Sequence, residues 1–247
     1  MNNQKETGHK VTIDNLRQLI AFLKSYGSDY SPTNSSLTIA QLEARLEAAE
    51  AAEAKVSVEK QSYTVATDAR EEAFKPISAI LTRSFNALIS TNTSAETDAS
   101  ARALVNKIKG TKTRSSKKTT DPVVAENGTS SKVASISTAQ MGYDDRLQNL
   151  THYFDLLEIT PEYQPNEPDL KLDALRAVAT DLAVKNQRVM DAEVAFSKAR
   201  LDRNDVLYKP ITGVVDTATD VKNYVKSVFG ASGAKYRQIS GIIFQKF

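Results

Sequence analysis

Apolar residues recur at helical spacing through most of the chain. Near the amino end they form one stripe, made of Ile13, Leu16, Leu19, Ile20 and Leu23. Spacings of three and four residues place such side chains on one face of a helix, and Gly27 predicts where this helix ends. After a turn that contains Pro32, we expect a second helix that Ser36 caps and that continues to about Lys75.

Pro76 interrupts this long helix, because proline lacks the backbone donor and clashes with the preceding turn. A third helix is predicted from Ile77, and Ser94 is the expected cap of a fourth. The second half of the chain repeats the plan with a stripe from Leu147 to Leu157 and a proline-rich turn. Its long helix then has apolar residues seven apart, at Leu175, Leu182, Val189 and Phe196. Pro210 ends this helix, and a last amphipathic helix closes at Gly230.

Strand patterns are weak, and the best of them is the tail 239–244. This tail can pair as a strand or expose a docking motif, or it can cover the end of a helical bundle as an extended apolar segment. We favour the interpretation that this tail covers the end of the bundle.

The two halves match each other in sequence, which favours a tandem duplication. Tyr30-Ser31-Pro32 matches Tyr163-Gln164-Pro165, and Phe74 to Ile77 matches Tyr208 to Ile211 after a slip of one residue. Val105 to Gly110 resembles Val225 to Gly230. Between the landmarks the aligned pairs are Leu37 and Leu170, Leu42 and Leu175, Val56 and Val189, Tyr63 and Phe196, and Arg70 and Arg203.

The predicted fold is therefore all-α, with long antiparallel helices in two related hairpin or bundle units. We expect a first repeat over 1–109, a basic, Ser/Thr-rich linker over 110–140, and a second repeat over 141–247 with an extended tail. The linker lacks apolar periodicity, so it cannot bury enough surface to offset the entropy of ordering it. Two separate bundles and one larger bundle with pseudo-twofold symmetry both fit this pattern.

Composition excludes several classes of site. The 247 residues carry a net charge of +2, with no Cys and two His. Disulfide scaffolds, thiolate metal sites and three-His zinc sites are excluded on these counts. The first ten residues have no apolar segment of a secretory signal, and no apolar run is long enough to span a bilayer, so we expect a cytoplasmic protein without a membrane span.

One segment is strongly basic, although the chain as a whole is nearly neutral. It contains Lys107, Lys109, Lys112, Arg114, Lys117 and Lys118 without an intervening acidic residue. Such a segment can neutralise nucleic-acid phosphates. A solvated linker is the favoured interpretation, because no aromatic residue lies among these charges and no recognition motif is present.

Residues for catalysis or cofactor binding are sparse. His9 lies in a polar segment, and His152 has polar helical neighbours, so we expect neither to be a ligand. The carboxylates at 71–72 and 202–205 are read as surface ion-pair partners rather than as a cation or proton-transfer site. Arg70 and Arg203 fall on the seven-residue seam, where an arginine extends to solvent or pairs across the bundle. The sequence predicts no cofactor, no metal and no enzyme.

Two predicted surface features allow more than one interpretation. The tyrosines of the Tyr30 and Tyr163 turns either line an aromatic binding notch or, as we favour, pack over the start of a helix. The alanine-rich face from Ala44 to Ala54 allows close helix approach, as an oligomer interface or simply as a surface of high helix propensity.

The carboxyl-terminal half resembles a recurrent helical protein family of bacterial genomes. The resemblance lies in Arg203-Asn204, Leu207-Tyr208, Gly213 to Asp216, Val221 to Ala231, and Tyr236 to Phe244, and the segment 136–147 is also similar. It implies a bacterial tandem-helical protein and carries no activity or site residues. Together these observations predict a scaffold or protein-interaction module that associates with itself or with another protein through amphipathic helices. The alternative is a nucleic-acid-associated protein that uses 107–118.

Overall fold

The computed structural model describes residues 8–111 and 141–246, and these residues are helical, with no strand among them. The predicted residues Lys112, Arg114, Lys117 and Lys118 lie outside the described residues. The helices are α1 (His9–Ser25), α2 (Ile39–Phe74), α3 (Ile77–Ile89), α4 (Ala95–Lys109), α5 (Tyr143–Glu158), α6 (Leu172–Tyr208), α7 (Val214–Phe229) and α8 (Ala234–Ser240).

Several helix ends follow the sequence signals. The Ser94 side chain accepts a hydrogen bond from the backbone N–H of Thr97, as predicted for the cap of α4. Gly110 ends α4 in the left-handed conformation, with φ of 66°. At the start of α7 only glycine fits, because a Cβ on Gly213 would lie 2.6 Å from the backbone oxygen of Lys209.

The start of α2 differs from the prediction. Ser36 does not cap this helix. Asn34 caps a short 3₁₀ turn, Ser35–Leu37, by accepting a hydrogen bond from the N–H of Ser36, and α2 begins only at Ile39. Because Asn34 bonds its own backbone two residues on, the chain forms a turn before the helix starts.

The described residues form two compact units. Unit 1 contains 8–65 and 191–246, and unit 2 contains 66–111 and 141–190. Each unit thus takes segments from both halves of the chain. The division falls within α2 and within α6, so each long helix contributes residues to both units.

Unit 1 has an apolar core around α1. Leu16, Leu19 and Leu23 of α1 are fully buried, and they share one cluster with Leu207 of α6 and Val221 of α7. Tyr26 and Phe229 meet edge to face, with ring centroids 6.0 Å apart.

Unit 2 has an apolar core of its own around α5. Leu150, Phe154 and Leu157 of α5 are fully buried, in a cluster that includes Leu81 of α3 and Leu182 of α6. The hydroxyl groups of Tyr153 and Ser84 lie 3.1 Å apart within this core.

The carboxyl-terminal tail covers the core of unit 1, as favoured, although part of it is helical. Ile239 lies in α8 and is fully buried, and Ile242 beyond it is 7% exposed. The Asn15 amide donates to the backbone oxygen of Ile243 at 2.7 Å, and Lys222 donates to the backbone oxygen of Ser240 at 3.2 Å. The strand interpretation of this segment is wrong.

Candidate functional site: exposed helix faces and charged clusters

Two of the six predicted nucleic-acid-binding residues lie in the last turn of α4. Lys107 is exposed, whereas Lys109 is half-buried and donates to the hydroxyl group of Thr82. Lysines at this end of a helix also stabilise it, because they face the negative end of its dipole. Within the described residues, the basic segment therefore offers one exposed ammonium group.

Arg203 pairs inside unit 1. This residue is 7% exposed, and its guanidinium group donates to Glu53 Oε2 at 3.4 Å and to Asn204 Oδ1 at 3.0 Å. The neighbouring carboxylate of Asp202 pairs with Lys55 at 3.5 Å. Of the two expectations for an arginine on the seam, pairing across the bundle is the one that the structure shows at Arg203.

Arg70 occupies the matching sequence position but has a different environment. In unit 2 its guanidinium carbon lies 4.1 Å from the centroid of the Tyr143 ring, and Arg146 lies 5.0 Å from the Phe74 ring in the same way. The centroids of the Phe74 and Tyr143 rings lie 4.8 Å apart in an edge-to-face contact, so the two cations and the two rings form one continuous cluster. Neither Nε atom has a hydrogen-bond partner among the described residues.

His9 is more buried than its polar sequence neighbours suggested. Its Nδ1 lies 2.7 Å from the hydroxyl oxygen of Tyr208, at the end of α6. Burial lowers the pKa of His9, and the positive charges of Arg203 and Arg200 lower it further, against the opposing effect of Glu53. The folded protein therefore favours the neutral imidazole.

This environment makes stability pH-dependent. Because the pKa of His9 is lower in the folded state than in the unfolded state, the unfolded chain binds the proton first. The free energy of unfolding should therefore fall as the pH drops from about 7.5 to 5.5, a window above most carboxylate pKa values. Urea unfolding at several pH values measures it, with His9→Gln as the matched variant. An equal pH dependence in the variant would show that other groups cause the loss.

The tyrosines of the two turns pack inside the units, as favoured over a binding notch. Tyr30 and Tyr163 are 6% and 4% exposed, and their hydroxyl groups donate to the backbone oxygens of Leu37 at 2.6 Å and Leu170 at 2.9 Å. Burial raises the pKa of both phenols, that of Tyr163 to about 12.

An open polar cleft lies beside the second turn. Its volume is about 480 Å³, and its lining includes Arg83, Asn86, Gln164, Asn166 and Glu167. Arg83 forms an ion pair with Asp169 on the adjacent 3₁₀ turn. The charges of Arg83 and Asp169 therefore largely offset each other near the cleft.

The long helices carry exposed apolar residues. On α2, Val58 and Val65 are 62% and 57% exposed, and Ala44, Ala51 and Ala54 of the predicted alanine face are exposed too. On α6, the exposed fractions are 45% for Met190, 68% for Val194 and 64% for Leu201. These residues recur at helical spacing, so each long helix presents an apolar face to solvent.

Among the described residues, the remaining candidate residues do not come together as a metal site. His152 is exposed on α5. Across residues 8–111 and 141–246, no group of three or more His, Cys, Asp or Glu side chains is placed to hold a metal ion. Over the same residues, no helix combines the length and apolar character needed to cross a bilayer.

Comparisons of the chain with protein-family models, curated proteins and solved structures returned no match. The function is therefore inferred from the geometry of the two units.

Proposed function

We propose that this protein is a non-enzymatic helical scaffold of the bacterial cytoplasm that associates with copies of itself. The observation that carries the proposal is the exposure of apolar side chains along both long helices. Val58, Val65, Val194 and Leu201 each leave more than half of their surface in water. Large apolar side chains that are exposed along one helix face are typical of a protein–protein contact.

Helix length supports the same conclusion. The helices α2 and α6 have 36 and 37 residues. Helices of this length draw most of their stability from packing of an apolar face. The faces turned towards the cores are packed within the units, and the exposed apolar faces are available for a second contact.

The scaffold is also proposed to be a tandem duplication of one helical plan, as in the bacterial family it resembles. Its support is that the Tyr30 and Tyr163 hydroxyl groups make the same bond, to a carbonyl seven residues ahead. In addition, α7 contacts the 3₁₀ turn at Ser35–Leu37, and α3 contacts the turn at Pro168–Leu170. These contacts favour α3 as the counterpart of α7, so they do not support the match of Val105–Gly110, in α4, to Val225–Gly230.

The alternative is a nucleic-acid-associated protein that binds phosphates through 107–118. Its support among the described residues is the exposed Lys107 at the end of α4. Affinity from such contacts falls steeply with salt, because binding releases counterions from the nucleic acid.

One experiment separates the two functions. Two forms of the full chain with different tags are co-expressed in a bacterial host, and one tag is purified with and without nuclease. Recovery of the other tag after nuclease treatment supports self-association. Recovery that disappears with nuclease supports the nucleic-acid alternative, and no recovery under either condition contradicts the scaffold proposal.

A further inference from the structure

The exposed face of α6 has a heptad pattern of its own, distinct from the inward seam. Met190, Val194, Ser197 and Leu201 follow one another at spacings of four, three and four residues, and all four are exposed. Such spacing places them in one stripe along the helix, as in the seam of a coiled coil. We call this stripe, with the charged residues beside it, the α6 face.

Four charged residues flank the stripe in a self-complementary order. Asp191 and Lys198 lie on one side, and Glu193 and Arg200 lie on the other. On each side an acidic residue is followed seven residues later by a basic one. When such a helix meets its own copy running in the opposite direction, each acidic residue lies opposite a basic residue of the other copy.

The charged residues of the α6 face are accessible to solvent. All four flanking residues are exposed, and no ion pair within the described chain engages Glu193, Lys198 or Arg200. The guanidinium of Arg200 stacks instead on the ring of Phe196 in its own helix, at 5.6 Å. The capacity of Glu193, Lys198 and Arg200 for ion pairing is therefore not used within the described chain.

We infer that a second copy of this chain docks on the α6 face in antiparallel orientation. In this register Val194 packs against Ser197 of the second copy and Leu201 against its Met190. Glu193 pairs with Arg200 of the second copy, and Asp191 pairs with its Lys198, each pair occurring twice. Antiparallel packing also aligns the helix dipoles favourably, whereas parallel packing opposes them. The inference rests on the proposed self-association and adds its surface and orientation.

Charge exchange in the full-length chain tests this register. Glu193→Arg places two arginines opposite each other in each pair, and Arg200→Glu places two glutamates there. Each single variant should weaken dimerisation about tenfold or more at low salt, as measured by sedimentation equilibrium. The double variant, E193R with R200E in one chain, restores both pairs and should restore the dissociation constant to near the unsubstituted value. An equimolar mixture of the two single variants should form heterodimers.

Glu162→Arg is the matched control, because Glu162 is exposed in the turn between α5 and α6, outside the apolar faces of α2 and α6, and its reversal changes the charge by the same amount. It should leave dimerisation unchanged, and circular dichroism should show equal helix content in all variants. If E193R and R200E leave dimerisation unchanged, or if the double variant stays weak, the inference is overturned while self-association stands. If the unsubstituted chain never dimerises, both proposals fail.

Discussion

Replacing Leu207 with alanine should lower the free energy of unfolding by about 2–5 kcal/mol, the cost of a cavity at a fully buried leucine. Leu207 lies in the last third of the chain, at the end of α6, but it belongs to the same core as Leu16, Leu19 and Leu23 of α1. The loss should therefore appear in unit 1. Hydrogen exchange should accelerate at the amides of α1 more than at those of α5.

Leu182 provides the matched substitution on the same helix. It is 1% exposed and belongs to the core of unit 2 with Leu150 and Leu157. Leu182→Ala should have a similar cost in stability, but it should accelerate exchange in α5 more than in α1. If both variants accelerate exchange in the same helices, the assignment of the two ends of α6 to separate cores is contradicted.

Removing Glu53 should be the second large effect, because it leaves the guanidinium of Arg203 buried without its carboxylate. We expect Glu53→Ala to lower the free energy of unfolding by about 1–3 kcal/mol, the range for a buried polar group that loses its partner. Glu53 is itself about one-third exposed, and Asn204 still accepts from Arg203, so the cost should stay below that of breaking a fully buried pair. Urea unfolding measures this loss.

A double-mutant cycle separates the lost ion pair from lost packing. Arg203→Met keeps an unbranched apolar side chain at the site and removes the charge, so E53A combined with R203M should be more stable than E53A alone. A double variant whose loss equals the sum of the single losses would show that the two residues are not coupled in stability.

Helix positions follow from the sequence where local chemistry decides them. The stripe of α1 predicts its buried face, since Ile13, Leu16 and Leu23 are all 4% exposed or less. The cap at Ser94 depends only on a side chain three residues from its donor. The helices α1 and α4 lie where the sequence predicts them, because the apolar stripe and the capping serine are local signals.

Matching sequences did not always give matching conformations. Pro76-Ile77 and Pro210-Ile211 align, but Ile77 is buried and begins α3, whereas Ile211 is 81% exposed with φ of 70°. A left-handed isoleucine is rare, and here its backbone N–H is held by Asp216 Oδ2 at 2.9 Å. Asp216 lies five residues farther on, so this bond depends on how the chain folds back, and an alignment of the two halves of the sequence does not contain that information.

Sequence periodicity also does not show which segments pack together in each compact unit. A heptad pattern shows which side chains of α6 face a core, but not which segment supplies the other side. Leu182 and Leu207 look alike in sequence, yet one packs in the cluster with α5 and the other in the cluster with α1. Assigning them requires the contacts themselves.

The candidate site was only partly visible in the sequence. The basic segment was found from its lack of acidic residues, and the alanine face of α2 from its composition. The α6 face was missed because the inward seam dominates the pattern of that helix. A second stripe from Met190 to Leu201, with Glu193 and Arg200 seven residues apart beside it, was the signal that would have found it.

Sedimentation equilibrium of the full-length chain over a wide concentration range is the most direct test of self-association. The structure's exposed apolar faces on α2 and α6 predict a reversible dimer, with a mass near twice the 27.1 kDa of one chain at high concentration. A single species of 27.1 kDa at every concentration would contradict the account.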